Sequence, residues 1–272
     1  MPIQRFIILG TARTGSNLLI SLLSGHQEIR VLGELFNLDT IPPDALPQAL
    51  DTPVTYMEQQ LFRNLSDSKK AVGFKIFYDH FTPDYFKKPV DPQEADEQLR
   101  KRFQNIEQYI STHYTAEELE TRFSQLWEHL VADKQLKVIH LKRNNKLDTL
   151  VSLKTAFVTN QWMAYKAGHT MTTKLELGEE ECAQYFNRLE AYEKQYAQMF
   201  AAHDILELSY EDLATEQDAV LQRVCQFLDI SPGKASTILK KQVTAPIRDV
   251  VQNYRALATA FRDTRWAHYF NA

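Results

Sequence analysis

The chain has little cysteine, no long apolar run and no excess of basic charge, and each lack excludes something. Cys182 and Cys225 are the 2 cysteines among 272 residues. They make neither a zinc-type pair nor a disulfide framework, so a reducing, cytoplasmic setting is expected. No apolar run reaches the ~18–20 residues of a membrane span. The apolar N-terminal stretch is broken by Arg13 and makes a poor signal peptide. Lys plus Arg number 31 against 35 Asp plus Glu, a net charge of −4. That balance argues against a general nucleic-acid binder and leaves room for a local basic pocket. Repeats and low-complexity tracts are absent too. With 44% apolar and 24% charged residues, the chain has the composition of a folded soluble protein.

What is present is an alternation of short apolar runs with helical patterns. Phe6 to Leu9 reads as a buried parallel strand ended by Gly10. Ser16 or Asn17 is expected to cap a helix whose Leu18, Leu19, Leu22 and Leu23 form one face. Further strands are expected at Val31 to Leu35, Ala71 to Tyr78, Lys137 to Leu141 and Ile205 to Leu208. Helices are expected from Leu99 to about Leu130, Leu147 to Tyr165, Gly178 to His203 and Asp218 to Leu228, and in the tail from Arg248. Seven of the 10 prolines lie from Pro42 to Pro92, so that stretch reads as loops and short pieces. The alternation implies an α/β fold: three layers, P-loop-like, with a central parallel sheet flanked by helices. No linker divides it, so one domain is expected over 1–272.

Gly10-Thr11-Ala12-Arg13-Thr14-Gly15-Ser16-Asn17 joins the first strand to the first helix, where backbone N–H groups and a positive helix end can hold an anion. The glycines have P-loop spacing. Ser16 and Asn17 stand where the phosphate-binding Lys and the magnesium-binding hydroxyl belong. The strand ending at Leu141 runs into Lys142 and Arg143 rather than into a magnesium-binding Asp. The loop therefore suits a phosphate without Mg-NTP hydrolysis, with Arg13 supplying charge, and no metal ligand is assigned. The bland alternative is a turn with no ligand. Arg143, at a strand end, and Ser152, nine residues on, suit a second phosphate; a solvated basic strand end is the alternative.

GTARTGSNLL resembles the 5′-phosphosulfate loop of sulfotransferases that use 3′-phosphoadenosine 5′-phosphosulfate (PAPS). LKRNNKLDTLVS resembles their 3′-phosphate element, and LELSYEDLATEQDAVLQRVCQFLDI their strand, Tyr-Glu-Asp-Leu turn and helix. The Arg-Thr-Gly-Ser loop is most similar to the bacterial branch typified by trehalose sulfotransferases. The Arg-to-Ser interval is one residue longer than in animal cytosolic enzymes, and their C-terminal Arg-Lys-Gly motif is missing. The resemblance implies sulfuryl transfer from PAPS to a hydroxyl or amine, leaving 3′,5′-adenosine diphosphate. Arg13, Thr14, Gly15, Ser16, Asn17, Arg143 and Ser152 would hold the donor, and Tyr210 would lie against adenine. Glu34 would be the base, as the matching Glu is in that branch. Its pKa is expected to be raised by partial burial.

Lys75 interrupts an apolar strand and reads either as a contact to the transferring group or to Glu34, or as an edge-strand Lys. His80 is a second candidate base or a structural loop histidine. A small-molecule or carbohydrate acceptor is the expected partner, with a homodimer open and no nucleic acid or membrane. Aromatic residues at Tyr56, Phe77, Tyr78, Phe81, Tyr85 and Phe86 suit a sugar or a planar acceptor equally. An inactive nucleotide binder of the same fold, or an atypical P-loop kinase, are the competing readings.

Overall fold

The computed structural model describes residues 3–80, 95–162, 174–234 and 246–271; Phe81, Tyr85, Phe86 and Tyr165 fall outside them. In chain order the elements are β1 (Gln4–Gly10), α1 (Ser16–Ser24), β2 (Ile29–Glu34), α2 (Leu46–Asp51), α3 (Pro53–Phe62), β3 (Ala71–Phe77), α4 (Glu97–His113) and α5 (Ala116–Ala132). Then follow β4 (Lys137–Lys142), α6 (Lys146–Thr159), α7 (Glu179–Met199), β5 (Ile205–Ser209), α8 (Tyr210–Thr215), α9 (Gln217–Phe227), α10 (Ile247–Val250) and α11 (Tyr254–Ala260).

The five strands form one sheet in the order β2-β3-β1-β4-β5, parallel throughout. The run Phe6 to Leu9 is apolar at every position because β1 is buried on both faces. Ile7 and Leu9 meet α2, α3 and α5 on one face. Phe6 and Ile8 meet α1 and α9 on the other. This is the expected three-layer α/β architecture. A further apolar cluster, with Leu150, Phe186 and Phe261, joins α6 and α7 to the C-terminal helices. The chain leaves β1 for β2 and β3 on one side and then crosses to β4 and β5. The carboxyl ends of the central strands therefore open a crevice at this reversal of order.

The pairing of β2 with β3 is irregular. Leu32 pairs with Phe74, but Glu34, rather than Gly33, pairs with Lys75. Gly33 is the extra residue of a bulge. Side chains alternate along a strand, so a regular β2 would put Glu34 on the face of Leu32. The bulge turns it to the face of Lys75, toward α1.

Three local expectations are corrected. The helix expected from Leu99 to Leu130 is two helices. Thr115 accepts the Glu118 N–H while Glu118 accepts the Thr115 N–H, a capping box that starts a new helix. The helix expected to reach Tyr165 ends at Thr159, with Asn160 in the left-handed region at φ 52°. The Pro-rich stretch holds short pieces as expected, α2 and α3, each with proline in its first turn, where the missing N–H costs nothing. Helix α1 is capped by neither Ser16 nor Asn17; Gly15 occupies the cap position and no side chain caps it.

Candidate active site

The loop between β1 and α1 is held in a backbone that few residues adopt. Arg13 has φ 69° and Gly15 φ 85°. For Arg13 this left-handed conformation is strained, and such strain is characteristic of functional loops. Gly15 is required twice over: its φ favours glycine, and an added Cβ would lie 2.7 Å from Tyr210 Cδ2. Thr14 is buried and its hydroxyl donates to the Thr11 carbonyl at 2.8 Å. With no side-chain cap, the first N–H groups of α1 are left for an anion.

Two arginines converge behind this loop. Arg13 Nε donates to Ser152 Oγ at 3.0 Å and Nη1 to the Trp162 carbonyl at 2.9 Å. Arg143 pairs with Asp148 at 2.7 Å and stacks over the Tyr210 ring, 4.4 Å from its centroid. It also reaches the Arg13 carbonyl at 3.4 Å. Ser152 thus meets Arg13 directly, while Arg143 reaches the Arg13 backbone. Burial, and then the charge of Arg143, pull the Arg13 pKa down to about 10. Arg143 Nε is buried without a hydrogen-bond partner. Two close cations and an orphaned donor are what a bound anion would relieve. Asn145 caps α6 through the Asp148 N–H, which sets Asp148 in the first turn facing Arg143. Glu211 accepts the Asn144 N–H at 3.2 Å, and Ser209 caps α8.

Opposite the loop lies a carboxylate with its partners. Lys75 is 2% exposed on β3, an interior strand, so the edge-strand reading fails. Its ammonium pairs with Glu34 Oε1 at 2.7 Å and donates to Asn17 Oδ1 at 2.6 Å. Asn37 Nδ2 donates to Glu34 Oε2 at 2.6 Å. His80 Nδ1 accepts the Phe77 N–H at 3.3 Å, so the neutral ring carries its proton on Nε2, 3.7 Å from Glu34 Oε2. The expected rise of the Glu34 pKa is corrected. Burial pushes it up, but Lys75, His80 and the bonds from Lys75 and Asn37 together hold it below the usual value. The resting group is a carboxylate, able to accept a proton.

Loop and carboxylate face one cavity of about 520 Å³. Its remaining wall comes from α4, α6 and α7, with Phe103, Phe157, Tyr185, Arg188 and Tyr192. None of these stood out in the sequence. Tyr185, Leu189 and Tyr192 have ordinary helical spacing for a core face, and only the fold turns that face toward a cavity. Asn37 and Asp148 were hidden as well, since single polar residues in loops and first turns carry no pattern.

A loop with P-loop glycine spacing at the reversal point of a parallel sheet, with Ser16 where the usual lysine stands and Arg13 inside the loop, defines an α/β protein of the P-loop-like class. The Sulfotransferase family model matches residues 5–232, and the chain belongs to that family, as its loop and Tyr-Glu-Asp-Leu segment implied. It is 25% identical to Nodulation protein H of Rhizobium tropici over 98% of this chain and 93% of that protein. It is also 25% identical to Nodulation protein H of Rhizobium meliloti (strain 1021), over 99% and 96%. A crystal structure of a sulfotransferase from Alicyclobacillus acidocaldarius aligns with a TM-score of 0.49 and 17% identity, over 96% of this chain and 91% of that one.

Proposed function

We propose that this chain moves a sulfuryl group from PAPS to a hydroxyl or amine of a small-molecule or carbohydrate acceptor, without a metal. The convergence of Arg13 and Arg143 behind an uncapped helix start carries this reading, because it supplies positive charge for both phosphates of the donor. The new bond joins acceptor oxygen or nitrogen to sulfur, the sulfur–oxygen bond to the 5′-phosphate breaks, and 3′,5′-adenosine diphosphate leaves. Arg13 and the N–H groups of Thr14 to Asn17 stabilise charge growing on the leaving phosphate; one such donor is typically worth ~10²–10³ in rate. Lys75 spans Asn17 and Glu34, which sets a cation between loop and base. Glu34 takes the acceptor proton, with His80 as the neighbouring alternative. Tyr210 packs against Gly15 and beneath Arg143, a position suited to contact with the donor. Buried, unpaired Cys182 and Cys225 suit a cytoplasmic setting.

The test is Arg143→Ala. Binding of 3′,5′-adenosine diphosphate should weaken by about 1.5–3 kcal/mol, with adenosine 5′-phosphate little affected. Equal losses for both ligands would remove Arg143 from the 3′-phosphate. Transfer should also survive EDTA, since Ser16 stands in the place of the phosphate-binding lysine and Asn17 in that of the magnesium-binding hydroxyl. Loss of transfer on chelation, restored by magnesium, would count against the mechanism.

A further inference from the structure

The cavity is divided by charge. Glu34, Asp39 and Asp79 line it from the strand ends, and Arg102 of α4 and Arg188 of α7 line it from the helices. Among the described residues neither Arg102 nor Arg188 makes an ion pair or hydrogen bond, although carboxylates share the cavity. Arg188 is half-buried, and its guanidinium stands 5.7 Å from the Tyr185 ring centroid. A half-buried arginine on an aromatic platform, with no carboxylate partner, has lost hydration without regaining a counter-ion. Tyr185 of α7 lies within electrostatic reach of Arg13, but Arg102 and Arg188 line the cavity from α4 and α7 outside the loop from Arg13 to Asn17, and their side of the wall suits the acceptor. Resting on the transfer reading above, we propose that the acceptor is acidic: its hydroxyl faces Glu34, and a carboxylate or phosphate on the same molecule is held by Arg188, with Arg102 at the outer side.

The experiment measures binding to the protein already loaded with 3′,5′-adenosine diphosphate. The probes are p-nitrophenyl β-glucuronide against p-nitrophenyl β-glucoside for a carboxylate, and glucose 6-phosphate against glucose for a phosphate. At least one acid should bind about ten- to hundred-fold more tightly than its neutral counterpart, and the arm that shows this identifies the anion. Arg188→Gln should abolish that preference and Arg188→Lys restore part of it, with thermal stability and nucleotide affinity close to the parent's. Equal binding of acid and neutral probe, no binding of either acid, or a preference that survives Arg188→Gln would each overturn the proposal. So would a loss in Arg188→Gln that falls on 3′,5′-adenosine diphosphate, since Arg188 would then serve the donor. Failure of the parent to bind that nucleotide, read before any acceptor probe is added, sinks the transfer reading instead.

Discussion

At the scale of single residues, Glu34 is the position where environment decides chemistry. Its carboxyl is partly buried, which alone would favour the neutral acid, yet Lys75 and His80 overcome that cost. Glu34→Gln should therefore slow the chemical step by about 10²–10⁴ and leave nucleotide affinity nearly unchanged. Near-parental turnover would hand the proton to His80. Because the folded pKa is depressed, the acid limb of the parent pH–rate profile should lie below the ordinary carboxylate range. Lys75→Met removes the main opposing charge and keeps the burial, so the same limb should move to higher pH. A limb that stays in place would show that Lys75 does not set the state of Glu34. The same sign governs stability: the contribution of ionised Glu34 is present above the unfolded carboxylate pKa and is lost as pH falls through the folded one.

Among elements, the join of β1 to α1 carries the sharpest constraint. Gly15→Ala would force a side chain into a left-handed backbone and into Tyr210. The cost should be at least about 1 kcal/mol, with donor affinity falling alongside. Unchanged melting and unchanged affinity would show that the loop accommodates the methyl group. Strand β4 makes a second case. His140 is 1% exposed and shares a 2.6 Å hydrogen bond between Nε2 and the Tyr78 hydroxyl, with Nδ1 3.7 Å from Glu207. Burial, then the charge of Lys142, lower its pKa from 6.5 to about 4. Between those values the unfolded chain binds a proton that the native chain does not, so stability is full above pH 6.5 and declines as pH falls toward 4. His140→Gln keeps a hydrogen-bonding partner for Tyr78 and removes the titration. Its unfolding free energy should fall less steeply over that window than the parent's, and parallel curves would exclude His140 as the cause.

For the whole molecule, the proposed function links donor binding to folding, because the residues proposed to hold the donor come from β1, α1, β4, α6 and α8 or the loops beside them. A ligand at about 100 times its dissociation constant adds about 2.7 kcal/mol. For a chain of this length that is a rise in Tm of about 5 °C. The rise is expected with 3′,5′-adenosine diphosphate and not with ATP plus magnesium. A shift with ATP-magnesium alone would favour a kinase. Binding of 3′,5′-adenosine diphosphate with no transfer to any acceptor would favour an inert nucleotide binder.

Local sequence by itself determined the strands, the loop and the family. A buried parallel strand must be apolar on both faces, and the run Phe6 to Leu9 announces it. Glycine spacing, Arg13 and the Tyr-Glu-Asp-Leu segment are likewise short-range patterns, complete within a few residues. The break at Thr115 was also legible, in the spacing of Thr115 and Glu118, but the helical pattern on either side masked it. Tertiary structure alone decided what those residues meet. The bulge at Gly33 turns Glu34 onto the face of Lys75, and no composition or periodicity reports a bulge between partners 41 residues apart. The pairing of Arg13 with Ser152, 139 positions away, and of Lys75 with Asn17, 58 away, depends on strand order. The sign of the Glu34 shift followed from that order as well. Burial can be guessed from a sequence, but the opposing charges that reverse its effect are brought in from other strands and loops only when the sheet closes around them.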